Sequence, residues 1–360
     1  MVLGEAERTS RRKIEHIEIA LNKPVEGPLT TWFEYVFLPT RSLPKVDPEN
    51  VFTSVDFLGK TMGAPLIIEA MTGGAPGTEL INRSLAEVAC QLKIGMGLGS
   101  QRAAIESREL AYTYRVARDV CPDILLLGNI GVAELVKYGV SVLESLASIV
   151  EVDGVAVHLN YFQEVVQPEG ASGFSRGLEA ISKAIDASPV PIVVKEVGFG
   201  ISRELAEELY NIGVRHIDVA GAGGTNWALV ELYRAASAGN SIKQYIADGI
   251  KEVGIPTAAS IVEVRSVSND LFIIGSGGIR SPYDAVKALR LGANVVGLAR
   301  PALQAYSKNV LKEFLEAFLL GVKAVLASLG VTTLSDITKS PVIIVGLLKE
   351  WFDARGIRVR

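Results

Sequence analysis

Short apolar runs recur along the chain at fairly even spacing. They read PLIIEAMT (65–72), IGMGLGS (94–100), DILLLGNIG (123–131) and GVAVHLN (154–160), then PIVVKEVG (191–198), HIDVAG (216–221), LFIIGSGG (271–278) and VVGLARP (295–301). Runs of this length bounded by turn residues predict buried strands. Segments of helical period lie between them, among them ELINRSLAEVACQLK, GLEAISKAIDAS, SRELAEELYNIG and SPYDAVKALRLG. The last two open on Ser202 and Ser281, good N-caps, and close on Gly213 and Gly292, good C-caps. Apolar strands alternating with helices predict a parallel sheet covered by helices. Eight such units predict a (β/α)8 TIM barrel over 65–330. A doubly wound sheet is the alternative, but it normally uses fewer units and one glycine-rich turn after its first strand. Residues 1–64 read as an N-terminal arm and loops, charged at the start. Residues 331–360 read as a helical extension of the same domain.

Composition narrows this little further. With 49% apolar and 21% charged residues, the chain has ample material for a core. A net charge of −4 gives no basic field for nucleic acid or an anionic membrane, so any bound anion needs a local cluster of cations. The N-terminus lacks the apolar segment of a signal peptide, and the late apolar stretches are broken by charge and glycine or are too short to span a bilayer. A soluble, cytoplasmic protein is expected. Cys90 and Cys121 lack metal-ligand spacing and are expected to be buried free thiols in a reducing compartment.

Barrel active sites form at the C-terminal ends of the strands. Those positions hold Thr72, Ser100, Asn129, His158 with Asn160, Lys195, Asp218, Gly277 with Gly278, and Arg300. Helix capping alone does not call for Lys, Asn and His. The segment GSGGIRSPYDAVKALRLGANVVGLARP (275–301) carries glycines that let a backbone approach a phosphate, followed by a helix N-terminus near Ser281. It looks like the phosphate-binding region of FMN-dependent barrel enzymes. Lys195 fits beside a flavin's pyrimidine ring, where a cation stabilises the anionic reduced form. Its plain alternative is a buried lysine paired with a carboxylate such as Glu196. His216, before strand six, falls at the wrong end of the barrel for chemistry.

The chain resembles the type 2 isopentenyl diphosphate isomerases over nearly the whole barrel and the arm. The resemblance rests on RRKIEHI (11–17), AMTGG (70–74), GSQR (99–102), GNIG (128–131), HLNYFQEVVQPEG (158–170), VVKEVGFGIS (193–202), VAGAGGTNWALVE (219–231) and the 275–301 segment. Departures from the family pattern are Ala171, Asn226, and Val253 with Gly254; the Asn226 change bears on ring packing near the flavin.

The resemblance implies interconversion of isopentenyl and dimethylallyl diphosphate by a 1,3-allylic proton shift. Reduced FMN would be the acid–base partner, NADPH a visiting reductant, and the assembly a homotetramer. It implies FMN contacts from Ala70, Met71, Thr72, Ser100, Asn129, Lys195, Thr225, Gly277, Gly278, Arg280, Ala299 and Arg300. Substrate contacts would come from Arg12, Lys13, Ser100, Gln101, Arg102, His158, Asn160 and Gln163. Gln163 and Glu231 would act near the reacting carbons, and Glu164 would hold Mg2+ with diphosphate oxygens and waters. Three rivals fit less well. A 2-hydroxy-acid oxidase needs a His and an Arg near strands six and seven. An inosinate-type dehydrogenase needs a nucleophilic Cys on a loop. A flavin-free sugar-phosphate binding barrel has no use for Lys195, Asn129 and Gln163 together.

Overall fold

The computed structural model describes residues 5–168 and 170–359. Eight parallel strands close into a barrel: β1 (Leu66–Ile68), β2 (Gly95–Gly97), β3 (Leu126–Gly131), β4 (Gly154–Leu159), β5 (Ile192–Glu196), β6 (His216–Asp218), β7 (Phe272–Gly275) and β8 (Val295–Leu298). β8 returns to β1 with Gly297 opposite Ile67. Each strand falls within one of the apolar runs, which are continuous because helices cover the outside of the barrel while side chains fill its inside. The register puts His158 opposite Lys195, and Lys195 opposite Asp218. These polar side chains therefore share one level near the C-terminal ends of neighbouring strands.

The opposite end is plugged by a hairpin, Val55–Phe57 and Lys60–Met62. Phe57 stacks on Phe272 with ring centroids 4.1 Å apart, and its ring meets His216 edge-on. His216 opens strand six and thus belongs to the closed end of the barrel, away from the mouth.

Helix caps fall where the sequence puts them. Ser202 accepts from Leu205 N, and Ser281 forms a reciprocal capping box with Asp284 around Pro282. Gly292, at φ 118°, ends that second helix in a left-handed conformation suited to glycine.

The arm holds more structure than its charged, loop-like sequence indicates. Glu5–Asn22 is one helix, lying across the C-terminal mouth of the barrel. The C-terminal extension is not wholly helical. Ile343–Ile344 forms a short antiparallel strand with Val36–Phe37 of the arm before a last helix, Gly346–Arg355.

The expectation of free thiols is overturned. Cys90, near the end of helix Thr78–Leu92, is disulfide-bonded to Cys121, which follows helix Tyr112–Val120. The two helices pack side by side, and this tertiary adjacency across 31 residues of sequence is invisible in the spacing. Among the described residues no helix is long and apolar enough to cross a membrane.

Candidate active site

A cavity of about 540 Å³ opens at the C-terminal mouth, beneath the N-terminal helix. Lys195 stands on its floor. Its ammonium donates to the carbonyl of Glu196 at 2.8 Å and lies 3.1 Å from Asp218 Oδ2 and 3.7 Å from Glu69 Oε2. Burial pulls the lysine's pKa down, but Asp218 and then Glu69 outweigh it and the net shift is upward, so the group is a cation. Its carboxylate partners are therefore Asp218 and Glu69. The Glu196 carboxylate is occupied elsewhere, accepting the N–H groups of Val197, Gly198 and Phe199.

On the wall made by β3 and β4, His158 Nδ1 meets Asn129 Oδ1 at 2.7 Å. Burial, then Lys195, Lys13 and Arg12, push the imidazole down to about 3, so it is neutral at physiological pH. The chain then turns into the short helix Tyr161–Val166, which brings Gln163 and Glu164 to the cavity. Glu164 is held on both oxygens: Asn160 Nδ2 donates to Oε1 at 2.8 Å, while Ala171 N and Gln167 Nε2 donate to Oε2 at 2.6 and 3.3 Å. Burial still leaves its pKa raised. Gln163 Nε2 donates to Glu231 Oε1 at 3.1 Å.

Glu231 lies wholly buried behind Gln163. It accepts from His16 at 2.9 Å and from Arg234 at 2.7 Å. Burial alone would raise its pKa; His16 and Arg234 overcome that and hold the carboxyl down at about 2. His16 comes from the arm helix and lines the cavity, with its ring edge-on to Trp227. No site role for His16 is readable from composition or spacing. Its only sequence signal is its place in RRKIEHI.

The arm also supplies cations. Lys13 is buried with its Nζ donating to the Ser100 carbonyl at 3.2 Å, and burial followed by Arg12 lowers its pKa to about 7. Other expected ligand contacts are already engaged. Arg102 pairs with Glu106 at 2.6 Å and Glu134 at 3.0 Å. Arg280 and Arg300 both pair with Glu26, and Arg300 also donates to the Ala20 carbonyl, so these two residues tie the arm to the barrel.

Gly277 and Gly278 have φ of 98° and 71°. A Cβ on either would strike the carbonyl oxygen of Gly221 or Gly223, so close packing against the loop after β6 also requires glycine there. Every residue assigned to ligands from the sequence lines this cavity except Thr72, Gln101 and Glu231. Gln101 is fully buried and accepts from Asn129 N at 3.1 Å, which supports Asn129 from behind.

The relatives of this chain bear on what such a mouth is for. The isopentenyl-diphosphate delta-isomerase of Ignicoccus hospitalis is 42% identical over 97% of each chain. That of Methanothermobacter thermautotrophicus is 43% identical over 98% of each. The chain belongs to the isopentenyl-diphosphate delta-isomerase family. An FMN-dependent dehydrogenase family profile matches residues 172–344, which places it with the FMN-dependent, type 2 isomerases. Among solved structures, a mandelate oxidase variant bearing an FMN adduct aligns with a TM-score of 0.63 over 95% of this chain and all of its own, at 16% identity. Mandelate oxidase with (S)-2-phenylpropionate aligns at 0.62 and 17%, over 94% of this chain and 97% of its own. These two likenesses are of fold alone.

Two of the departures from the isomerase family pattern make local hydrogen bonds. At Ala171 it is the backbone N–H that reaches Glu164. Asn226 caps helix Trp227–Ser237 by accepting from Leu229 N.

The donor set fits FMN. Glu69 Oε1, Thr72 Oγ1, Asn160 Oδ1 and Asp218 Oδ2 are buried without hydrogen-bond partners, and Glu69 and Asn160 belong to residues lining the cavity. Residues Asn129, Lys195, Gly277 and Gly278 would hold FMN. No group of three or more His, Cys, Asp or Glu among the described residues could hold a metal ion.

Proposed function

We propose that the chain interconverts isopentenyl diphosphate and dimethylallyl diphosphate by a 1,3-allylic proton shift at this mouth. The observation that carries the proposal is the Gln163–Glu231–His16 assembly, which fixes an amide at the cavity wall between the barrel and the arm helix. An allylic C–H is a very weak acid and an alkene a very weak base, so the skeleton must be held against an acid–base group in a water-poor site. Reduced FMN, when bound, supplies that acid–base centre with no net redox change. The protein does the rest. Glu231, ionised and sealed, takes one N–H of Gln163 and so sets the orientation of its amide, leaving the amide oxygen and the second N–H for the substrate. Arg12 and Lys13 answer the diphosphate charge, with arginine suited to bidentate contact. Glu164 would hold Mg2+ against the same phosphates. Lys195 would balance a reduced flavin's negative charge. NADPH would reduce the flavin once and leave, and the working assembly would be a homotetramer.

The test is proton NMR of isopentenyl diphosphate incubated in D2O with protein, FMN, Mg2+ and a reductant. Dimethylallyl signals are expected to grow, with deuterium incorporated and no reductant consumed per turnover. Absence of product with the flavin reduced, or NADPH consumed in proportion to product, would overturn the proposal.

A further inference from the structure

The cavity floor holds one more acidic group than its single ammonium can balance. Glu69, directly after β1, and Asp218, the last residue of β6, both reach Lys195 Nζ, at 3.7 and 3.1 Å. Both carboxyls are buried; Asp218 turns its Oδ2 to the ammonium, and Glu69 Oε1 has no hydrogen-bond partner. Neighbouring groups do not supply a second cation. His158, opposite Lys195 on β4, is neutral, and Glu196 on β5 is committed to three backbone N–H groups. Ser276, after β7, brings only a hydroxyl, donated to Asp218 Oδ1 at 2.5 Å. Two buried carboxylates crowding one ammonium repel each other, which disfavours ionisation of both at once.

We propose that Glu69 and Asp218 share one proton and together carry one negative charge, and that this charge, by balancing Lys195, sets how strongly the site favours reduced flavin. The two positions are unequal. Asp218 has the Ser276 hydroxyl, the Ala220 N–H at 3.2 Å and the nearer approach to Lys195, so it keeps the charge. Glu69 has the longer approach to the ammonium and, besides it, only the Ala70 N–H, so it keeps the proton. Burial and then Asp218 push the Glu69 carboxyl in that direction. Both act as positioning residues, through Lys195. The inference rests on the FMN reading of the cavity.

Charge sharing predicts a pattern that independent charges do not. Removing either carboxyl alone leaves the other free to ionise and pair with Lys195. Removing both leaves the ammonium unbalanced in the cavity floor. The midpoint potential of bound FMN is measured for the parent, Glu69→Gln, Asp218→Asn and the double variant. Glu69→Gln is expected to be nearly silent and Asp218→Asn to give a small upward shift. The double variant is expected to exceed their sum by at least tenfold in the reduction equilibrium, which is about 30 mV for two electrons. Infrared spectroscopy of the flavin-free protein at neutral pH supplies a second reading, in case the double variant does not fold. The parent is expected to show a protonated-carboxyl band that Glu69→Gln removes. Additive potential shifts, no shift in a folded double variant, or an unchanged infrared band would overturn the inference. Failure to bind FMN at all would overturn the flavin reading as well, whereas FMN bound with additive potentials would overturn this inference alone.

Discussion

Gln163 is placed by a single bond to a carboxylate that also holds His16 and Arg234. Gln163→Ala removes the amide without unpairing Glu231. It is expected to lower kcat by about 100-fold, a usual scale for loss of a group assisting proton transfer, with a smaller change in KM. A raised KM with normal kcat would reduce Gln163 to a binding group. Glu164→Gln keeps shape but removes the charge that suits a hard cation, so a titration of activity should need more Mg2+, with FMN affinity unchanged. The parent's Mg2+ dependence in that variant would exclude Glu164 as a ligand.

Lys13 gives a pH signature. A lysine is charged below its pKa, and here burial and Arg12 bring that value to about 7. Diphosphate affinity should therefore be full below pH 7 and fall above it, by up to about tenfold per unit, and Lys13→Met should flatten the profile. Calorimetric titration of inorganic diphosphate checks this. At this scale the sequence shows which side chains reach the mouth where they end a strand, as Asn129, His158 and Lys195 do. It was read poorly for His16 and for the Glu69–Asp218 pair, because their partners are set by the arm's docking and the barrel's closure and not by chain neighbours.

Among the elements, the helix Pro282–Leu291 carries the clearest local code: Ser281 as N-cap, Pro282 in the first turn, Asp284 closing the box and Gly292 at the end. Ser281→Ala is expected to cost about 1 kcal/mol in chemical denaturation. A larger loss would mean that Ser281 bears on more than its own helix. Strands and caps were legible because they obey local rules of period and turn chemistry. The arm helix Glu5–Asn22 was not read, because its apolar face is thin and it is held by contacts from distant elements: Arg234 on Glu15, Arg300 on the Ala20 carbonyl, Glu106 on Thr9. The strand Ile343–Ile344 escaped for the same reason, having only two residues and a partner some 300 positions away in the arm.

Across the whole molecule the disulfide is the one covalent tie beyond the backbone among the described residues. Cys90 and Cys121 stand 31 positions apart, and in the chain-entropy account closing a loop of that length stabilises the fold by about 3–4 kcal/mol. Cys121→Ser, or reduction with a strong thiol, is expected to lower stability by that order in thermal or denaturant unfolding. An unchanged midpoint would show that the bond does not form in solution. The enclosed stretch contains β2 and the mouth residues Ser100 and Arg102. A single peptide-bond cut anywhere between the two cysteines would therefore not release a fragment. The nicked protein would remain one covalent molecule, and its two pieces would separate on a denaturing gel only after reduction.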